Sequence, residues 1–247
     1  MAVSAFTDTE LYPSSDGQPM AENTVQYRWI VLIKENLERW FADRPDVFIA
    51  GDLLWYPLAV AVPPAPCQAP DVMVVLGRPK GDRPSYKQFE EGGGPPQVVF
   101  EILSESNRGR RGQAEMANKF RFYEQYGVEE YYIYDPERRE LRGWQRQGAT
   151  LAPIVDVGRW VSPLLGVSFF WEPGTELVLS LPNGERFLTP LAMARDRERQ
   201  RRQRRIQVEQ QWQQAAQRAI AEQERRQQAE QRAAELAARL RALGLEP

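Results

Sequence analysis

The sequence predicts an α/β protein, α+β in the stricter sense, in which helices cover a mixed sheet and a long C-terminal helix follows. Three observations carry this prediction. Apolar residues recur at helical spacing over residues 22–42 and again over about 113–126. Short apolar runs typical of buried strands lie between and after these segments. From about residue 190 the composition changes to Arg, Gln, Glu and Ala, without Pro or Gly until Gly244.

The predicted element order is helix, strand, strand, strand, helix, strand. Residues 22–42 form the first helix, and three strand-like runs follow it, "VFIAGDLLWY", "VMVVL" and "QVVFEIL". The second helix runs from about Gln113 to Tyr126 and stops at Gly127, and "EYYIY" is the strand after it. Residues 147–190 are expected to add short β segments. This order indicates a sheet covered by helices.

The chain is expected to have three parts. Residues 1–20 are polar, with Pro, Ser and Gly, and are expected to form a flexible N-terminal arm. Residues 21–190 form the globular domain, and residues 191–247 form a helical tail rich in Arg, Gln and Ala.

The tail contains a seam at alternate steps of three and four residues. Nine of its eleven positions are apolar, and the seam consists of Val208, Trp212, Ala215, Ala219, Glu222, Arg226, Ala229, Ala233, Leu236, Leu240 and Leu243. Such a seam is typical of a coiled coil, which predicts a homodimer or higher homo-oligomer. A solvated single helix remains the alternative, because many seam positions are Ala.

Composition excludes several kinds of site. The 247 residues include no His and one Cys, so the chain cannot build a Ser-His-Asp triad, a Cys-His pair, a haem site or the usual zinc sites. Any metal has to be a hard one held by oxygen ligands, such as Mg²⁺ or Mn²⁺. The apolar stretches are too short to span a bilayer and the N-terminus has no signal-peptide pattern, so a cytoplasmic protein without membrane contact is expected.

Charge is divided unevenly along the chain. From residue 195 onward there are 13 Arg and 8 Asp or Glu, a net charge of +5. Since the whole chain has a net charge of -2, residues 1–194 have a net charge of -7. Nucleic-acid binding would therefore depend on local basic patches. The best candidates for phosphate contact are Asn107, Arg108, Arg110 and Arg111 in "NRGRRG", although exposed loop arginines without a ligand are equally common.

Three charged residues stand out as candidates for chemistry. Asp71 precedes the strand "VMVVL", Glu101 interrupts the apolar strand "QVVFEIL", and Lys119 lies on the second helix. If the two strands are neighbours, the carboxylates come close together and repel each other unless a cation lies between them. A divalent ion held by Asp71, Glu101 and the carbonyl of Ile102 suits phosphodiester hydrolysis, with Lys119 stabilising the developing charge.

Each of these residues also has a purely structural interpretation. Asp71 after Pro70 can simply begin a strand, and Lys119 can be a surface residue of its helix. Glu101 can form a buried ion pair with Arg108 or Arg121. Tyrosines near the site, among them Tyr123, are assigned to core packing.

Here the chain resembles a known family. "PD", then some thirty residues, then "FEILSESN", then Lys119 and "YEQYGVEEYYIYDPE", is similar to the PD-(D/E)XK nuclease superfamily and, within it, to the Uma-two family of restriction endonuclease-like proteins. The resemblance covers about residues 20–190 and implies a restriction-endonuclease-like αβββαβ core. The superfamily lysine would fall at Leu103, and the resemblance implies that Lys119 takes its role from the following helix.

The resemblance implies a function. We expect a metal-dependent endodeoxyribonuclease with Asp71, Glu101 and Lys119 as catalytic residues, Mg²⁺ or Mn²⁺ as cofactor and DNA as substrate. The alternative is a catalytically weak or inactive nuclease-fold protein that acts as an assembly module through its coiled-coil tail.

Overall fold

A computed structural model describes residues 6–90 and 92–242. The chain divides into two compact units, Met1–Pro190 and Leu191–Pro247. In the described ranges no helix is both long and apolar enough to cross a lipid bilayer.

The first unit contains the predicted helices and strands with additions. Its helices are α1 (Asp8–Leu11), α2 (Thr24–Trp40) and α3 (Arg110–Tyr126). Its strands are β1 (Val47–Ala50), β2 (Trp55–Tyr56), β3 (Val72–Leu76), β4 (Tyr86–Lys87), β5 (Val98–Ile102), β6 (Glu130–Asp135), β7 (Glu140–Gln147), β8 (Thr150–Pro153), β9 (Ser168–Phe170) and β10 (Val178–Ser180). The order of the main elements, αβββαβ, is confirmed.

Local sequence explains where the two main helices begin and end. Asn23 caps α2 because its side-chain oxygen accepts the backbone N–H groups of Val25 and Gln26. Helix α3 ends where Gly127 takes a left-handed conformation, φ 95°, which glycine adopts without steric cost. The stop that the sequence predicts at Gly127 is therefore present.

The central sheet has six strands in the order β1-β3-β5-β6-β7-β8. Neighbouring strands are antiparallel except β5 and β6, which are parallel because α3 connects them as a crossover. The sheet is therefore mixed, as predicted. Strand β5 lies inside it between β3 and β6, and all five of its residues are buried.

The predicted strand "VFIAGDLLWY" is two strands in different sheets. Strand β1 joins the central sheet, whereas β2 pairs in parallel with β4 in a separate two-stranded sheet. The chain leaves extended conformation at Asp52, whose φ is 49°. A positive φ at a non-glycine residue breaks a strand, which is why the apolar run does not continue in one direction.

Side chains of β5 alternate between two cores. Val98, Phe100 and Ile102 belong to the cluster that α2 covers. Val99 and Leu103 belong to the cluster on the other face, which includes Tyr123 of α3. Glu101 has the parity of Val99 and so points to the α3 side.

The prediction of a flexible arm over residues 1–20 is wrong for part of that segment. Thr7 caps α1 in a capping box with Glu10, and Leu11 and Tyr12 are buried in a cluster with Tyr56. Burial of these two apolar side chains fixes the segment to the domain. Residues 1–5 of the predicted arm lie outside the described residues.

The described residues of the second unit lie in one helix, α4, which spans Pro190–Ala242 and has 53 residues. It begins where the change in composition predicts. The seam residue Leu243 and the predicted stop at Gly244 lie outside the described residues. Large apolar side chains along α4 are exposed, among them Val208, Trp212, Leu236 and Leu240.

Candidate active site

The sheet register brings the two predicted carboxylates together. Val72 pairs with Phe100 in the antiparallel β3–β5 ladder, so Asp71 and Glu101 are the next residues in register. The Asp71 side chain accepts the backbone N–H of Ile102 at 2.6 Å, which anchors its carboxylate beside β5. Asp71 and Glu101 are both buried.

Helix α3 supplies two donors to Glu101. The Nζ atom of Lys119 lies 2.8 Å from Oε2 of Glu101, and the Tyr123 hydroxyl donates to Oε1 at 2.5 Å. These donors are four residues apart, so they share the helix face that packs on the sheet. Glu101 is only 3% exposed. Its charge is tolerated in an apolar strand because an ammonium and a hydroxyl each donate a hydrogen bond to one of its oxygens.

The arginines named as structural partners of Glu101 contact other groups. Arg108 forms ion pairs with Asp135 at 3.3 Å and with Glu137 at 2.6 Å. Arg121 donates to Asn118. Glu101 is therefore paired with the lysine that the resemblance singles out.

The electrostatics of the cluster indicate excess negative charge. Burial, followed by the neighbouring charge of Glu101, raises the pKa of Asp71 from 3.8 to about 8. Burial lowers the pKa of the Lys119 ammonium, but the attraction of Glu101 and Asp71 outweighs it and the net pKa is raised. One ammonium thus faces two carboxylates. This arrangement favours the protonated form of Asp71 unless a second cation binds beside it.

The cluster opens into a polar cavity of about 340 Å³. Six acidic residues and two basic residues line it: Asp16, Glu22, Asp52, Asp71, Glu101, Glu115, Arg111 and Lys119. Burial, then the neighbouring Asp16, raises the pKa of Asp52, which shows that its negative charge is also unfavourable there. Such a cavity repels an anionic substrate and attracts cations.

The carbonyl of Ile102, predicted as a metal ligand, already accepts one hydrogen bond. Its donor is Nε2 of Gln26, at 2.9 Å. A carbonyl oxygen has two lone pairs, so the Gln26 amide leaves one available. Gln26 also accepts the backbone N–H of Glu22 at 2.9 Å, so the amide links the start of α2 to the end of β5.

The oxygen donors present fit a hard divalent ion in chemical type. Two carboxylates and a carbonyl are the ligands that Mg²⁺ and Mn²⁺ prefer. Each oxygen of Glu101 accepts one donor, whereas a carboxylate offers about four acceptor positions. Over the described part of the chain no group of three or more His, Cys, Asp or Glu residues is placed to hold a metal, so any ion here would need backbone and water ligands.

The predicted phosphate-contact residues do not act as one group. Asn107 and Arg111 line the cavity, whereas Arg108 and Arg110 are not part of its lining. Asn107 accepts the backbone N–H of Ser104 at 2.8 Å and closes the turn after β5. Arg108 pairs with two carboxylates, so the prediction of Arg108 as a phosphate contact is not supported by its geometry. Arg111 is exposed and is the arginine best placed for phosphate.

Sequence reasoning missed four contributors to the site: Tyr123, Gln26, Glu22 and Asp52. The sequence predicts a packing role for Tyr123, whereas its spacing of four from Lys119 is the signal for a shared target. Gln26 is buried although polar and lies one turn before Trp29 and Ile30, which are also buried. Glu22 accepts a hydrogen bond from the Ser104 hydroxyl at 2.6 Å, and no local sequence pattern predicts this contact.

Fold and site together define a restriction-endonuclease-like α/β protein. The mixed sheet holds an acid pair on adjacent strands, and the helix after the second strand supplies a lysine to it. A model of the Uma2 family, described as "Putative restriction endonuclease", matches residues 29–172, which is more than half of the chain. The chain belongs to this family.

Solved structures similar to this chain include a "putative nuclease belonging to DUF820" from Anabaena variabilis, with 12% sequence identity, a TM-score of 0.40, and coverage of 61% of this chain and 79% of that one. No curated protein matches the sequence. The family match includes Asp71, Glu101, Lys119 and Tyr123, whereas Gln26 and α4 lie outside it.

Proposed function

We propose that the protein is a divalent-metal-dependent endonuclease that hydrolyses phosphodiester bonds of DNA. The observation that carries this proposal is the buried pair of Asp71 and Glu101, which shares one lysine beside an acidic cavity. The family description supports hydrolytic nuclease activity in general. The metal, the DNA substrate and the residue roles are part of the proposal.

Asp71, Glu101 and the Ile102 carbonyl are the proposed ligands of Mg²⁺ or Mn²⁺. When bound there, such an ion lowers the pKa of a coordinated water and polarises the phosphate. The raised pKa of Asp71 supports the assignment, because a carboxyl that ionises at a cost in the metal-free protein gains most from a nearby cation.

Lys119 and Tyr123 hold Glu101 in position. The Lys119 ammonium pairs with one oxygen of Glu101, and Tyr123 donates to the other, so Glu101 can rotate only by breaking both contacts. Lys119 also lines the cavity, where its ammonium can stabilise charge that develops on the phosphate. Arg111 at the same cavity is the proposed contact to the DNA backbone.

The alternative is a catalytically weak protein that serves as an assembly module. Across residues 6–90 and 92–242 no three-residue cluster of acids is placed for a metal, and this observation favours that alternative. Plasmid DNA incubated with Mg²⁺ or Mn²⁺ tests the proposal: the parent should cleave, and Glu101→Gln should not. Melting the parent with and without Mn²⁺ adds a readout independent of cleavage. A parent that neither cuts nor gains melting temperature would support the module.

A further inference from the structure

Helix α4 carries an apolar seam with a particular internal order. Its large residues lie at the two ends, Val208 and Trp212 at one and Leu236 and Leu240 at the other. The exposed fractions of these four side chains are 64%, 71%, 60% and 38%. When a second helix covers exposed apolar side chains, apolar surface is removed from water and the helix pair is stabilised.

Read from both ends, the seam is complementary to itself. When a second copy of α4 runs antiparallel to the first, with residue 224 of each helix at the same level, Leu240 of one copy faces Val208 of the other. Leu236 then faces Trp212. Ala233 then faces Ala215, and Ala229 faces Ala219. Large residues meet large ones at the ends, and alanines meet in the middle, where they let the helices approach closely.

The charged residues at the centre complete this order. Glu222 and Arg226 occupy seam positions and form an ion pair of 2.8 Å within the helix. Reversal about residue 224 places Glu222 on Arg226 of the second copy. We propose that α4 pairs with α4 of a second copy of this chain as an antiparallel coiled coil, with Glu222 and Arg226 crossing at its two-fold axis.

The parallel arrangement places like charges in the interior. It sets Glu222 against Glu222 and Arg226 against Arg226, while gaining an exposed attraction between Arg225 and Glu230. The antiparallel arrangement pairs opposite charges in the interior but places Arg225 beside Arg225 of the second copy at the exposed edge of the interface. Exposed charges are screened by water and salt, whereas interior ones lose solvation and need partners. The interior therefore decides the direction.

Disulfide trapping tests the direction in the full chain. With Cys67→Ser as background, Ala215→Cys and Ala233→Cys are made as separate proteins and oxidised alone and as an equimolar mixture. Only the mixture should give a cross-linked dimer, because Ala215 faces Ala233 and not itself. A cross-link in Ala215→Cys alone would indicate the parallel arrangement and overturn the proposal. So would a monomeric mass of the uncross-linked parent by light scattering.

Charge reversal tests the central pair. Glu222→Arg places two arginines together and should raise the concentration for half-dissociation at least tenfold. Adding Arg226→Glu restores opposite charges and should bring the dimer back. Glu224→Arg makes the same charge change two residues away, on the opposite face of the helix. It is the matched control, with no expected loss of dimer. Equal dissociation of Glu222→Arg and Glu224→Arg would refute the central pairing.

Discussion

Two buried glutamates on neighbouring strands have different surroundings. Glu101 of β5 and Glu130 of β6 are 3% and 1% exposed, so both lie far below the exposure usual for a carboxylate. Glu101 points to the α3 side of the sheet. Glu130 has the parity of Tyr132 and Tyr134, which pack in the cluster on the α2 side.

Their partners differ in charge. Glu130 accepts the hydroxyls of Tyr132 and Ser162 and the backbone N–H of Leu164, all neutral donors. Burial raises the pKa of Glu130, and no second carboxylate contributes strongly there. Glu101 has the ammonium of Lys119, a second carboxylate in Asp71 and a place in the cavity wall.

This difference shows which property marks a candidate site. Burial of a carboxylate alone does not, because neutral donors satisfy Glu130 within the core. Asp71 and Glu101 differ because their two carboxylates have one ammonium between them. They also line a cavity, so a cation can bind there and neutralise the remaining negative charge. Substitutions at these residues separate the two cases.

Removing either proposed metal carboxylate should abolish cleavage. Asp71→Asn and Glu101→Gln keep side-chain shape but remove the charge that holds the ion, so plasmid cleavage and the Mn²⁺-dependent rise in melting temperature should both disappear. Metal-free stability of Asp71→Asn should be preserved or raised, because a buried carboxyl no longer has to ionise beside Glu101. Glu101→Gln also removes the partner of the Lys119 ammonium, so its metal-free stability should fall.

The matched control for these variants is Glu130→Gln, which changes a carboxylate of similar burial away from the cavity. It should retain the Mn²⁺ response, whatever its own melting temperature. Glu101 would be a structural residue if Glu101→Gln lowered the free energy of unfolding by roughly 3 to 5 kcal/mol and the melting temperature of the parent did not respond to Mn²⁺.

Lys119→Ala should lower turnover by about 10²-fold or more. The substitution removes the ammonium that would stabilise charge developing on the phosphate. It also leaves buried Glu101 without its cation, so metal-free stability should fall. Mn²⁺ should restore part of that stability. Cleavage rates and melting curves measure the two effects. Lys34→Ala, which removes a more exposed lysine paired with Glu35, is the control. Parent-like cleavage by Lys119→Ala would rule out its catalytic role.

Stability of the metal-free protein should fall as pH rises from about 4 to 8. The folded-state pKa of Asp71 is about 8 against 3.8 for the unfolded value, so in this window the native state binds more protons than the unfolded state. The contribution of this group approaches about 1.4 kcal/mol per pH unit. Denaturant titrations in EDTA should show a smaller slope for Asp71→Asn. Identical slopes in both proteins would contradict the assigned pKa.

Tyr123→Phe should have the smallest effect. It deletes one hydroxyl that donates to Glu101 and leaves the ring, which stacks on Trp55, in place. Loss of a hydrogen bond to a charged group costs about 1.5 to 3 kcal/mol. We expect weaker Mn²⁺ binding with cleavage retained at saturating metal, measured by titration. Unchanged Mn²⁺ affinity would mean that the hydroxyl does not position the acid.

Patterns local in the chain determined much of this protein. The element order, the stop of α3 at Gly127 and the start of α4 follow from apolar spacing, glycine conformation and composition, which act over a few residues. An isolated charge inside "QVVFEIL" was enough to single out Glu101. The choice of Asp71 and Lys119 depended in addition on the resemblance, since neither residue is unusual in its own segment.

Tertiary structure alone decided which groups meet. Gln26 lies 76 positions before the carbonyl it contacts, and Glu22 lies 82 positions before Ser104. The backbone N–H of Asp52, where β1 and β2 separate, bonds to the carbonyl of Pro70, and the burial of Leu11 and Tyr12 likewise depends on a distant segment. The ion pairs of Arg108 are of the same kind, because Asp135 ends β6 and Glu137 lies just after it, far from Arg108 in the chain. Contacts between distant segments are set by strand register and packing, which no short stretch of sequence contains.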